Sequence, residues 1–207
     1  MSGEVVLYDW PRSSAAYRVR IALHLKGIAF RSELIDLRTG EQGGAPYTAI
    51  NPQGLVPALA IDGQLLTQSL AIIDYLDQTR PEPVLLSRDP VRRAAALARA
   101  LTIAADIHPV QNLRVMNRLK SQFGASDDAA VEWNQHWIAA GFAALEAGAP
   151  ESGLLGGNRP DLSDLCLVPQ MANARRFKVP LDAYPRLLRI DAELRQLPEF
   201  LAAAPGN

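Results

Sequence analysis

The pattern of hydrophobic and polar positions changes character at about residue 90 and divides the chain in two. Before that point short apolar runs alternate with amphipathic stretches. EVVLYDW (4–10) reads as a strand. Across 14–26 the apolar positions Ala16, Val19, Ala22, Leu23 and Leu25 recur at three- and four-residue spacings, which gathers them on one face of a helix, and Gly27 supplies its stop. FRSELIDL (30–37) alternates as a second strand. VPALAID (56–62) and QLLT (64–67) flank the turn pair Asp62-Gly63, and SLAIIDYLDQT (69–79) has the period of a second helix. The expected order is β-α-β, then β-β-α.

Beyond residue 90 the chain is rich in Ala, Leu and Arg, with helical periods over 90–122, 127–148, 161–175 and 184–204 and no strand pattern. Pro81, Pro83 and Pro90 interrupt the helical pattern between the halves and favour an extended connection. The expected organisation is a mixed domain over 1–80, a linker over 81–89 and an all-helical domain over 90–207.

Composition narrows the function. With 207 residues, 48% of them hydrophobic, the chain can bury a substantial core. No apolar run approaches the roughly 20 residues of a membrane span, and the opening residues lack the basic and apolar regions of a signal peptide, so a cytoplasmic location is expected. The single cysteine, Cys166, excludes an internal disulfide, a cysteine-built zinc site and a dithiol redox pair; no metal site is expected. A net charge of -1 gives no general attraction to nucleic acid or anionic membrane, so any anion must be held by a local cluster.

RSSAAYRV (12–19) offers such a cluster. A helix start exposes backbone N–H groups and the positive end of the macrodipole, and a serine hydroxyl there can hydrogen-bond a thiolate and so lower its pKa. Ala15 and Ala16 follow the serines, so a thiol used here has to be brought in. From this stretch alone the reading of Ser13 or Ser14 as only a helix cap is the favoured one. NPQGLVPAL (51–59) contains Val56-Pro57, where a cis turn presents the Val56 backbone as a peptide-binding edge or is simply a turn. Gln68 and Ser69 open the second helix and suit a carboxylate or a cap.

In this order these segments resemble the cytosolic glutathione transferase superfamily, a thioredoxin-like α/β domain followed by an all-α domain. RSSAAYRVRIAL is similar to the serine motif of the zeta class, and NPQGLVPAL, QSLAIIDYL, DIHPVQNLRV and DLCLVPQMANARRFKV resemble successive segments of its maleylacetoacetate isomerase branch, over nearly the whole chain. The resemblance implies glutathione as cofactor, a small dicarboxylate as substrate and a homodimer. The implied reaction is cis–trans isomerisation of maleylacetoacetate in tyrosine and phenylalanine breakdown, by reversible thiolate addition. Maleylpyruvate isomerisation and transfer to α-haloacids are neighbouring alternatives, and a non-catalytic glutathione-binding scaffold is a rival of another class.

Residue by residue, the resemblance implies Ser13 at the glutathione sulfur with Ser14 as helper or cap. It implies Gln42 and Val56 at the cysteinyl and glycyl part, Gln68 and Ser69 at the γ-glutamyl end, and His108, Asn112 and Arg176 over the sulfur. Two carboxylates call for guanidinium donors, and Arg12, Arg114 and Arg176 are the candidates, with Arg175 as the outward-facing neighbour. Ala15 departs from the Ser-Ser-Cys of many zeta enzymes and leaves a serine-activated mechanism intact. His108 precedes Pro109, which disfavours helical geometry at the histidine and predicts a break or kink there. Asp161 and Asp164 form a capping-box signal ahead of Cys166, itself expected in the core, and Trp133 and Trp137 are expected to pack on one helix.

Overall fold

The computed structural model describes residues 4–206. It forms two compact units, Met1–Leu86 with Leu197–Asn207, and Ser87–Gln196. In the first, strands β1 (Val6–Asp9), β2 (Arg31–Leu34), β3 (Ala58–Ile61) and β4 (Gln64–Thr67) form one sheet in the order β2-β1-β3-β4. β1 and β2 are parallel, joined by helix α1 (Ser14–Leu25), whereas β3 pairs antiparallel with both β1 and β4. The β3–β4 turn has positive φ at both Asp62 (53°) and Gly63 (73°), the geometry that an Asp-Gly pair favours. A 3-10 turn (Glu41–Gly43) and the short helix α2 (Ala45–Thr48) lead to the Val56-Pro57 peptide, which is cis, and α3 (Ser69–Thr79) closes the mixed part.

α1 is buried from Ser14 to Leu23 because it packs against α3 and also against the last helix, α10 (Pro198–Ala203). The C-terminal segment was expected with the helical domain of 90–207. Instead the 184–204 pattern breaks after Leu194, Pro198 opens a separate helix, and Tyr17 and Arg20 of α1 donate to the carbonyls of Phe200 (3.4 Å) and Ala203 (2.9 Å). Residues 81–89 carry neither helix nor strand and are tied to the first unit: Asp77 accepts from the amides of Leu85 (2.7 Å) and Leu86 (3.1 Å), both buried, and Lys26 clamps Asp77 together with the carbonyls of Arg80 and Pro83.

The second unit is helical: α4 (Pro90–Leu101), a π-helix (Thr102–Ile107), α5 (His108–Val110), α6 (Leu113–Phe123), α7 (Asp127–Gly148), α8 (Leu162–Arg176) and α9 (Pro185–Leu194). The core helix is α8, whose residues Leu162 to Met171 are all buried. Its capping box is present as expected: Asp161 accepts from the amide of Asp164, whose carboxylate accepts from the amides of Asp161, Leu155 and Gly156. Burial, and then the Asp161 carboxylate, push Asp164 up to about 7 against those three N–H donors, which favour its ionised form.

The helical stretch over 90–122 is interrupted around Pro109, where a break or kink is expected. His108 keeps helical angles (φ -60°, ψ -42°), contrary to the expectation from Pro109, and its amide bonds the carbonyl of Ile103, five residues back. The ring of Pro109 and its missing N–H are accommodated by widening the preceding turn rather than by moving the histidine out of the helix. Gly141 of α7 admits this wider turn, since a Cβ there would stand 2.2 Å from Cδ1 of Ile107.

Candidate functional site

In the first unit the loop after β1 delivers Ser13. Its amide bonds the carbonyl of Trp10 (2.8 Å), and its Oγ accepts from the amide of Ala16 (3.2 Å), so Ser13 is the N-cap of α1. A hydroxyl that accepts this bond keeps its own proton for donation. The amides ahead of the first helical bond, Tyr17 N–H to Ser13 C=O, carry the positive end of the dipole. Ser14, the first helical residue, is buried, and Arg12 is exposed.

Arg20 anchors this loop from behind. Its Nη1 holds both carboxylate oxygens of Asp9 (2.6 and 2.8 Å), Nη2 donates to the carbonyl of Pro11 (3.0 Å), and Nε donates to Ala203. Both charged partners are buried. Trp10 lies under the Arg38 guanidinium, 5.1 Å from the ring centre, which brings the loop carrying Ser13 beside the segment carrying Gln42.

Gln42 is half-buried, and its Oε1 is a buried acceptor with no hydrogen-bond partner among the described residues. Its backbone carbonyl is packed against Gly54 (φ +61°), where a Cβ would lie 2.9 Å away, so this turn requires glycine. The same turn is held by Tyr47 and Asn51, which both donate to the carbonyl of Leu55 (2.7 and 2.6 Å), and it presents half-buried Val56. Burial pushes the Tyr47 phenol up to about 12, so it remains a donor. Gln53 on that turn accepts from Nε2 of Gln68 (2.9 Å). Gln68 therefore does not cap α3 with its side chain, and its backbone has φ 67°. Ser69 follows it, buried, and its Oγ accepts from Nη1 of Arg18 (3.2 Å). Ser13, Gln42, Val56, Gln68 and Ser69 are thus linked through contacts within one unit.

In the second unit, Nε2 of Gln111 donates to Oε1 of Gln170 (2.7 Å), which ties the segment around half-buried His108 to α8. Trp133 donates to the carbonyl of Val110 (2.9 Å) and meets Trp137 edge-on, so the tryptophan pair packs on α7. Asn112 caps α6 through the amide of Arg114 (3.1 Å), and Arg114 is exposed. Arg176 ends α8. Its Nη2 donates to Oδ1 of buried Asn173 (2.7 Å), and its guanidinium lies 4.9 Å from the Phe177 ring centre. Arg175 is the exposed, outward-facing neighbour, and its guanidinium turns back to hydrogen-bond the fully buried Asp191. Burial raises the pKa of Asp191, and Arg175 opposes that rise.

The model of the glutathione S-transferase N-terminal domain matches residues 12–79, the stretch from Arg12 through α3. Maleylacetoacetate isomerase of Rhizobium meliloti is 48% identical, over 100% of this chain and 99% of its own. A holo maleylpyruvate isomerase, described as a bacterial zeta-class glutathione S-transferase, superposes with a TM-score of 0.94 at 41% identity, covering 97% of this chain and 96% of its own. The chain belongs to the zeta class of the glutathione S-transferase family. Maleylacetoacetate isomerase from Methylobacterium extorquens AM1, solved with malonate and glutathione, superposes with a TM-score of 0.93 at 38% identity, covering 97% of this chain and 96% of its own.

For a zeta-class chain the notable local feature is Ala15, nearly buried in the first turn of α1, which leaves Cys166 as the only thiol. Cys166 is fully buried in α8. Alkylation under native conditions is expected to leave it unmodified, with labelling appearing only as the second unit unfolds; rapid stoichiometric labelling, read by mass spectrometry, would contradict its burial. Four supporting residues escaped the sequence reading: Arg18, Arg20, Gln53 and Asn173. The signal for the first two was two arginines in an otherwise apolar helix, where a charge is retained only if the fold supplies partners.

Proposed function

We propose that this zeta-class chain is a glutathione-dependent isomerase that converts maleylacetoacetate to fumarylacetoacetate, a step of tyrosine and phenylalanine breakdown. The observation that carries the reading is Ser13 at the start of α1, with its Oγ accepting from the helix and its proton left to donate. The first unit fits glutathione: Gln42 Oε1 is a buried acceptor in need of a donor, Val56 offers a backbone edge, and the α3 start offers donors for a carboxylate. Bound glutathione supplies a thiolate that adds reversibly to the conjugated double bond and so permits its rotation.

The chain's own residues do the rest. Ser13 and the first-turn amides stabilise negative charge at the α1 start, with Ser14 in support. Gln42, Val56, Gln68 and Ser69 hold the tripeptide. In the second unit Arg176, oriented by Asn173 and Phe177, pairs a substrate carboxylate, with Arg114 as a further cation and His108 and Asn112 as hydrogen-bonding groups on the cofactor; Arg12 of the first unit is the third candidate cation. A cytoplasmic setting goes with this reading, since the redox poise there keeps glutathione as the thiol. Among the described residues no helix is long and apolar enough to cross a membrane.

Maleylpyruvate is the second reading, favoured by the 0.94 TM-score to a maleylpyruvate isomerase. The deciding measurement is cis-to-trans turnover of both maleyl acids with and without glutathione. Faster turnover of maleylacetoacetate, abolished without glutathione, is the expected result. Glutathione binding with no turnover of either acid would leave a scaffold.

Arg176→Gln is expected to reduce kcat/KM for the dicarboxylate by about 10- to 150-fold, the worth of a charge-assisted bond of roughly 1.5–3 kcal/mol, with a much smaller change in glutathione affinity. A loss confined to glutathione binding would remove Arg176 from the substrate side. Arg175→Gln is a poor control, because it takes from the buried Asp191 the nearer of its two cations and leaves only Arg195, at 3.8 Å.

A homodimer belongs to the same proposal. Leu65 of β4 and, on α4, Val91 and Leu101 expose apolar surface. Sedimentation at micromolar concentration is expected to give twice the 22.5 kDa of one chain, and a monomer mass would overturn it.

A further inference from the structure

Arg18 is 1% exposed, the most deeply buried of the polar residues that α1 carries into the fold, and its Nη1 donates to Oγ of Ser69 at 3.2 Å. A guanidinium has donors and no acceptor, so the Ser69 oxygen must accept in this pair, and the single hydroxyl proton is committed to a different direction. Ser69, 6% exposed, is the first residue of α3. The residue before it contributes no side-chain cap, because the Gln68 amide is engaged with Gln53. The start of α3 therefore presents backbone N–H groups and one oriented hydroxyl, with a buried cation directly behind that hydroxyl. This is a donor set for a carboxylate, strengthened by charge from inside the fold.

Arg18 sits on the same helix that begins at Ser13 and Ser14, so one rigid element carries the sulfur-side serines and the group that orients the α3 hydroxyl. We propose that Arg18 is a positioning residue for glutathione: it fixes the Ser69 hydroxyl as a donor to the α-carboxylate of the γ-glutamyl end and supplies the positive charge that makes this bond strong. The inference rests on the glutathione reading of the first unit and adds to it a residue that touches no part of the ligand.

The test separates orientation from general structural damage by using two ligands on each protein. S-methylglutathione and its analogue lacking the γ-glutamyl α-carboxylate are titrated calorimetrically against the wild-type chain, Arg18→Met, Arg18→Gln, Ser69→Ala and Arg18→Met/Ser69→Ala. The ratio of the two dissociation constants is compared, because a reduced folded fraction lowers both affinities alike and cancels. The wild-type chain is expected to prefer the carboxylate-bearing ligand. Both Arg18 variants should lose about tenfold of that preference, the weight of a hydrogen bond to a charged group. Ser69→Ala should lose a similar amount, and adding Arg18→Met to it should change the ratio little further, since the arginine acts through the serine. Arg18→Gln retains polarity at the site and serves where Arg18→Met folds poorly. Unchanged ratios in the Arg18 variants, or losses that add fully in the double variant, overturn the proposal while leaving glutathione binding in place. A wild-type chain that binds neither ligand overturns the glutathione reading and this inference with it.

Discussion

Ser13→Ala is expected to lower kcat/KM for a maleyl dicarboxylate by about 10²-fold or more, the loss typical of removing a preorganised donor from a developing anion. The physical basis is the division of labour within one hydroxyl. Its oxygen accepts from the amide of Ala16, which fixes its position at the helix start, and its proton is left to meet the negative charge. Alanine removes both functions, so stability falls too, but by a different measure. Losing a serine cap costs about 1 kcal/mol, which for a chain of this size corresponds to a melting-temperature drop of roughly 2–4 °C. A rate loss of two orders with so small a thermal shift identifies Ser13 as more than a cap. Ser14→Ala, at the buried first helical position, should cost less in rate. If Ser14→Ala proves the slower enzyme, the two serines have exchanged roles.

Arg20→Met should be the most destabilising of the substitutions considered. It leaves Asp9 buried without its cation, and breaking a buried pair by removing one partner costs about 3–5 kcal/mol. At the size scaling above this is a fall of roughly 6–20 °C in the transition of the first unit. The same substitution removes the donor to Pro11, two residues from Ser13, and the donor to Ala203 in the last helix, so activity at low temperature should fall as well. Arg31→Met is the control. Arg31 also bonds carboxylates, Glu4 and Glu33, but its side chain is half exposed, and such pairs are worth about 0–1 kcal/mol. Thermal melts of both variants decide the matter: equal shifts would mean that Arg20 is no anchor.

The sequence by itself determined those features whose cause is local. The three-to-four spacing of α1, the Asp62-Gly63 hairpin and the Asp161–Asp164 capping box each depend on residues within a few positions of one another, and each is present in the fold. The same holds for the placement of Ser13 at a helix start. What only the tertiary structure decided involves partners far apart along the chain. Nothing near Pro109 announces that its strain is taken up as a π-helix, because that outcome needs Gly141 to make room for Ile107. Arg175 and Arg176 are chemically identical neighbours, and only the fold brings Asp191, buried on another helix, to Arg175, while Arg176 engages Asn173 and Phe177 close by on its own segment. Likewise the last helix follows the all-helical stretch in sequence yet joins the first unit, since Arg20 and Tyr17 of α1 need its carbonyls as acceptors. A buried donor must find an acceptor wherever the fold brings one, and a choice made across 183 residues leaves no periodic trace along the chain.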